Sequence, residues 1–123
     1  MATGLKNLKI YKMAEELELK VHELTKIYPK DEKYRTVDQL RRSSASVSNN
    51  IAEAYNKSSI KEKLRIIRDI AKSEAEETKR NLMRSAKKGY CEKISIELAN
   101  EYTNLIKAIS GYIRFLKTYQ LSN

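Results

Sequence analysis

The residues best placed to do chemistry lie between Gln39 and Ala54, in the run QLRRSSASVSNNIAEA. Two adjacent arginines, Arg41 and Arg42, lead into small residues, then Asn49 and Asn50, then the single carboxylate Glu53. Guanidinium forks match phosphate oxygens, and an asparagine amide can read a base edge. On a helix, Arg42, Ser46, Asn49 and Glu53 share one polar face at spacings i, i+4, i+7 and i+11. That face admits two chemistries. Arg42 can contact phosphate while Asn49 hydrogen-bonds a base or sugar edge. Alternatively, Arg42 and Glu53 of neighbouring subunits pair, with Asn49 bridging. The small residues alongside favour close helix approach and weigh slightly toward the second. Ser43 and Asn50 border the core and are expected to be buried, hydrogen-bonded groups.

A second charged feature lies downstream. From Ser58 to Lys88 there are ten Lys/Arg against five Asp/Glu, so this segment carries +5 of the net +9. At about 100° per residue, Lys61, Arg65, Arg68, Lys72 and Lys79 form a stripe roughly 90° from the apolar seam. Such a stripe can track a phosphate backbone. It also carries the i, i+4 pairs Arg65–Asp69, Lys72–Glu76 and Glu76–Arg80, which would partly neutralise it into a solvated helix face.

Other chemistries lack raw material. Cys91 is the only cysteine and His22 the only histidine, so a disulfide framework is excluded and a zinc site or a Cys–His pair has almost no raw material. Glu53, Glu74, Glu76 and Glu77 are available carboxylates, but no E-x-x-H accompanies them, as a di-iron bundle requires. Phosphate-loop, dinucleotide and serine-hydrolase motifs are missing. No enzymatic activity, cofactor, metal or small-molecule substrate is expected. The start, MATGLKNLKIYK, has no apolar signal-peptide core, and no apolar run nears ~18 residues. The expected location is the cytoplasm, with no membrane contact.

The elements that must position these residues are helical. With three Gly and one Pro in 123 residues, few turns interrupt the chain. Apolar seams alternate spacings of 3 and 4. The first runs Ile10, Ala14, Leu17, Val21, Leu24, Tyr28 and stops at Pro29. The second runs Val37, Leu40, Ser44, Val47, Ile51, Ala54 behind a Thr36-x-x-Gln39 capping box. The third runs from Ile60 through Leu64, Ile67, Ala71, Ala75, Thr78 and Leu82 to Ser85, opened by a Ser59-x-x-Glu62 box and closed by Gly89. The fourth starts near Ser95 and runs Leu98, Tyr102, Leu105, Ile109, Tyr112, Leu116, Tyr119. The expectation is all-α: one antiparallel up-down-up-down four-helix-bundle domain over residues 1–123, with helices at roughly 8–28, 37–56, 60–88 and 95–120.

Apolar residues off the seams, namely Ile66, Ile70 and Met83 on the third helix and Ile106, Ile113 and Phe115 on the fourth, suggest a second stripe and a homo-oligomer. Tyr102, Tyr112 and Tyr119 are expected in the core, whereas Tyr11, Tyr34 and Tyr55 are candidates for surface contacts.

The strings Gln39-Leu-Arg-Arg, Ser46-Val-Ser-Asn-Asn-Ile-Ala-Glu, Ile70-Ala-x-Ser73-x-x-Glu76 and Gly89-Tyr90 resemble the four-helix-bundle proteins encoded in intervening sequences of bacterial 23S rRNA genes, also described as ribosomal-protein-like. The resemblance covers nearly the whole chain. It implies the bundle and a ring-shaped oligomer, a pentamer, as in the similar accessory proteins of diversity-generating retroelements. Those accessory proteins are thought to touch nucleic acid and a reverse transcriptase. The chain departs from the pattern at Ser48, where Pro is usual, and at Ala54, where Gly is usual. Helix two is therefore expected to be straighter and to lack one point of closest approach.

The expected function is non-enzymatic: an oligomeric bundle that contacts or scaffolds RNA, rRNA or its fragments, through Arg41, Arg42, Asn49, Lys61, Arg65, Arg68, Lys72 and Lys79. Ser43, Asn50, Glu53, Ser73 and Glu76 are the expected interface or structural polar groups. The alternative is a protein-binding adaptor ring without nucleic-acid contact.

Overall fold

The computed structural model describes residues 4–122; residues 1–3 and 123, at the edges of the expected domain, lie outside the described residues. Helix α1 spans Lys9–Thr25, α2 Asp38–Tyr55, α3 Ile60–Ile66, α4 Lys72–Lys87 and α5 Glu92–Ser122. A single wide turn with i→i+5 bonding, Ile67–Ala71, joins α3 to α4 without a loop, so five segments make four rods. A similar turn, Lys33–Val37, leads into α2. No strand occurs among the described residues.

Packing runs in a ring: α1 on α2, α2 on α4, α4 on α5, and α5 back on α1. Cross-helix bonds fix the directions. Ser48 of α2 meets Glu18 of α1, while Arg41 meets Thr25. Lys20 of α1 meets Glu101 of α5, while Tyr28, just past α1, meets Ser95. As numbers rise along one rod they fall along its neighbour, which is the up-down-up-down bundle.

Every residue of the first two seams is buried, as are Leu64 to Ser85 of the third and Leu98, Tyr102, Leu105, Ile109 and Leu116 of the fourth. Ile60 and Tyr112 are only half-buried, and Tyr119, expected inside, is 51% exposed. Counting back from the Lys20–Glu101 contact puts the start of α1 level with Tyr112, so Tyr119 lies beyond that helix. There it packs edge-on against Phe115, with ring centroids 5.0 Å apart. Two off-seam residues expected at an oligomer surface, Ile66 and Ile113, are instead buried. The α3 segment packs against both α2 and α5, and α5 packs against α1, α3 and α4, so both have wider covered faces than one seam supplies.

The helix ends sharpen the sequence reading. Ser59 caps α3 by accepting from the Glu62 backbone N–H at 3.1 Å, while the Glu62 carboxylate turns to Arg65. Gly89 (φ +84°) closes α4. Its N–H donates to the Ala86 carbonyl and that of Tyr90 to the Ser85 carbonyl, both at 2.9 Å, a Schellman arrangement. The Thr36–Gln39 box does not form. The backbone is already helical at Lys33–Val37, so no free N-terminal donors await a cap, and the Thr36 hydroxyl donates to Glu32 instead. Helix α5 begins at Glu92, earlier than expected, because Cys91 takes a positive φ of 44° and turns the chain at once. Ser95 is thus a buried residue of the first turn, bonded to the Tyr90 carbonyl (2.8 Å) and the Tyr28 hydroxyl (2.7 Å).

Among the polar core groups, Ser43 is buried as expected and accepts from the Thr78 hydroxyl of α4 at 2.7 Å. Asn50 is only half-buried and bonds within its own helix, to the Ser46 carbonyl and hydroxyl. Its i+4 offset from Ser46 makes that local partner closer than anything across the bundle.

Candidate nucleic-acid interface

The net charge of +9 is concentrated. Residues 26–37 hold four Lys/Arg against two Asp/Glu, contributing +2, beside the +5 of residues 58–88. By contrast, α1 and α5 together balance to zero, with seven basic and seven acidic residues. The loop after α1 meets only the C-terminal end of the second segment, Arg84 to Lys88, at one end of the bundle, while Lys61, Arg65 and Arg68 lie toward the other end of the same rod.

A cavity of about 500 Å³ opens there, lined by Arg35 and Thr36 from the loop, Asp38, Gln39 and Arg42 from α2, and Asn81, Arg84 and Lys88 from the end of α4, among others. Four cations face two carboxylates. Each guanidinium is gripped on one side: Arg42 Nε by Asp38 at 3.1 Å, Arg84 Nη1 by the buried Asn81 at 3.0 Å, and Arg35 Nε by Glu32 at 3.7 Å. Glu32, only 4% exposed, forms the floor. Its carboxylate accepts from Tyr90 (3.3 Å) and Thr36 (3.2 Å) and pairs with Lys88 at 3.7 Å. Burial works to raise its pKa, but the Lys88 and Arg35 charges with the Thr36 and Tyr90 hydrogen bonds outweigh it and hold the group below the usual carboxylate value. Across the loop a second cavity, of about 350 Å³, is lined by Lys26, Lys30, Lys33 and Arg41.

The residues expected to contact nucleic acid divide by environment. Arg42 lines the larger cavity, and Asn49 lies exposed further along α2. Arg41 is half-buried and committed: its Nε donates to the Thr25 hydroxyl at 2.9 Å and Nη2 to the His22 carbonyl at 3.4 Å, tying α2 to the end of α1. Lys61, Arg65 and Arg68 are exposed, and Lys72 and Lys79 half-buried. The three expected i, i+4 pairs do not close within 4 Å among the described residues. Arg65 bonds Glu62, and Arg68 bonds its neighbour Asp69 at 2.9 Å. The wide turn at Ile67–Ala71 displaces Asp69 from its place over Arg65, and solvated pairs gain little from closing. Glu53 is exposed and paired with Lys57 at 3.9 Å, while Ser73 and Glu76 face solvent.

The sequence reading missed Arg35, Arg84 and the cavity role of Lys88. They come from a loop and a helix end, so no periodic spacing joins them. Lys63 is spent structurally: its ammonium donates to the Ala54 and Tyr55 carbonyls and closes α2. Of the tyrosines considered for the surface, Tyr34 is exposed, Tyr11 donates to Glu15 at 3.2 Å, and Tyr55 lies half-buried under the Lys63 ammonium.

A different surface lies between α1 and α5. A groove of about 620 Å³ exposes Leu19 (62%), Ile27 (66%) and Ile94 (46%) over Leu24 and Leu98. Glu16, Glu23, Glu97 and Glu101 rim it, with Lys20 bridging Glu16 and Glu101. The missed signal was the i, i+8 pair Leu19 and Ile27, which lies off the first seam.

The all-α bundle thus presents a cation-lined cavity at its loop end and an acid-rimmed apolar groove between α1 and α5. Among the described residues no group of His, Cys, Asp and Glu could hold a metal ion, and no helix is long and apolar enough to cross a membrane. The family model of the 23S rRNA-intervening sequence protein matches residues 6–111, most of the chain. The chain belongs to that family, which is not known for enzymes. A search of curated proteins finds no match.

Proposed function

We propose that this protein is a non-enzymatic, oligomeric bundle that holds RNA by its phosphates at the basic loop end, with a longer strand reaching Lys61, Arg65 and Arg68 toward the other end of the α3–α4 rod. The observation that carries the reading is the gathering of four cations, Arg35, Arg42, Arg84 and Lys88, at one cavity on the loop end. Counterion release from clustered phosphate contacts supplies affinity without base specificity. Assembly multiplies weak contacts by raising effective concentration. The α1–α5 groove supplies the assembly surface, and the family resemblance supports reading the assembly as a pentameric ring. The protein acts in the cytoplasm.

Fluorescence anisotropy with a labelled rRNA fragment tests this. Binding should weaken by orders of magnitude between about 50 and 200 mM salt, as roughly six phosphate contacts dictate. Arg42→Ala combined with Arg68→Ala should weaken it further. Absent or salt-independent binding near ~100 mM salt sinks the reading. The groove also suits a protein-binding adaptor; a partner recovered by pull-down that survives nuclease treatment favours that alternative.

A further inference from the structure

The cavity at the loop end differs from a backbone-tracking groove. A strand followed along its phosphodiesters needs an open channel with cations spaced along it. Here the cations converge from three directions on one half-open cavity: Arg35 from the loop, Arg42 from α2, and Arg84 and Lys88 from the end of α4. About 500 Å³ falls within the roughly 300–1,000 Å³ range of small-ligand sites.

Each arginine also has one side engaged before any ligand arrives. Arg84 donates to Asn81, while Arg42 and Arg35 form exposed ion pairs with Asp38 and Glu32, and among the described residues these guanidinium groups make no other hydrogen bond or ion pair. Glu32 is covered by the Thr36 and Tyr90 hydroxyls and by Lys88, so its charge is answered within the protein. Each fork therefore keeps N–H donors for an anion entering the cavity.

An internal phosphodiester offers one negative charge and two free oxygens. A phosphate monoester carries close to two charges near pH 7 and three acceptor oxygens. Three forks and an ammonium converging from different sides suit the second. We infer that this cavity is a phosphate-monoester site, and that its occupant is the terminal phosphate of an RNA strand whose body lies along the basic surface. This inference rests on the RNA reading above and adds to it a recognition of strand ends.

The test compares one RNA oligonucleotide in 5′-phosphate and 5′-hydroxyl forms by fluorescence anisotropy on the full chain, with adenosine monophosphate and inorganic phosphate as competitors. The phosphorylated strand should bind at least roughly tenfold more tightly, the weight of one charged hydrogen bond. Arg84→Gln and, separately, Arg35→Gln should abolish that preference while circular dichroism and the thermal midpoint stay near those of the parent, since both side chains lie at the surface. Lys61→Gln with Arg68→Gln should weaken both strands alike and leave the preference intact. Equal binding of the two forms overturns the inference and leaves the RNA reading standing. Adenosine monophosphate binding without any RNA binding supports the monoester site but overturns the RNA strand as its occupant, and the RNA reading falls with it. No binding of either strand or of adenosine monophosphate overturns both.

Discussion

The Ser48 hydroxyl of α2 donates to Glu18 Oε1 of α1 at 2.6 Å. Proline, usual here in the resemblance, has no hydroxyl and no backbone N–H. The chain thus exchanges a helix irregularity for a charged cross-helix hydrogen bond, and α2 runs unbroken from Asp38 to Tyr55. Ser48→Ala is expected to cost about 1.5–3 kcal/mol, the range for a bond to a charged group. Ser48→Pro should cost at least ~3 kcal/mol more through the lost ladder bond and ring clash. Urea denaturation of the three proteins checks the order; a proline variant as stable as the parent contradicts it.

Tyr102 is fully buried in the core with its hydroxyl unbonded. Burial, then the Glu18 and Glu101 charges, push its pKa far above the ordinary value, so it stays a neutral phenol. An unpaired buried hydroxyl costs roughly 1–3 kcal/mol. Tyr102→Phe keeps the ring and removes the burden, so its thermal midpoint should rise, by the equivalent of about 1 kcal/mol. A lower midpoint would mean that the hydroxyl has a stabilising partner.

The fold was legible because one physical rule, apolar residues repeating at 3 and 4, governs both sequence and packing. Leu40, Val47 and Ile51 could be placed from spacing alone, as could the Gly89 stop. What spacing does not encode is where a neighbouring rod ends, hence the misplaced Tyr119, or how broadly a rod is covered, hence Ile66 and Ile113. The cavity was legible only through Arg42. Its other cations join through the folding back of residues 29–37 onto α4, a tertiary relation with no local pattern. Arg41 was singled out for its charge, but the acceptors that claim it, Thr25 and the His22 carbonyl, lie on another helix.

That contrast between adjacent arginines is measurable. Arg41→Gln removes the tie between α2 and the end of α1 and should destabilise the fold by about 1–2 kcal/mol. Its RNA affinity under native conditions should change less than that of Arg42→Gln, which is expected to leave stability nearly unaltered because its partner Asp38 forms only an exposed pair. Reversal of the two phenotypes, in parallel urea and anisotropy titrations, would reassign the roles.

Glu32 makes stability depend on pH. Its folded-state pKa is depressed below the ordinary 4.5, so the unfolded chain binds the proton more readily. The stabilisation is therefore present above the unfolded value and lost as pH falls through the folded one. Between pH 6 and roughly 3 the parent should lose thermal stability more steeply than Glu32→Gln. Parallel slopes in melts across that window would show that the carboxylate is not held by Lys88, Arg35 and the two hydroxyls.

The groove prediction concerns assembly. Leu19 and Ile27 are more than half exposed, so replacing them removes little folding energy but places charge on an apolar contact surface. If the groove joins copies of the chain, Leu19→Asp with Ile27→Asp should lower the solution mass measured by light scattering below that of the parent, with the thermal midpoint of the dilute protein nearly unchanged. The acidic rim of Glu16, Glu23, Glu97 and Glu101 adds a second signature. If it meets the basic rod of a second copy, raising the salt should also weaken assembly, because screening shortens the reach of those charges. RNA affinity should fall together with mass, since one subunit offers a single set of phosphate contacts where a ring offers several. A parent protein that is monomeric at every concentration measured removes the groove as a contact between copies and leaves it to a different protein.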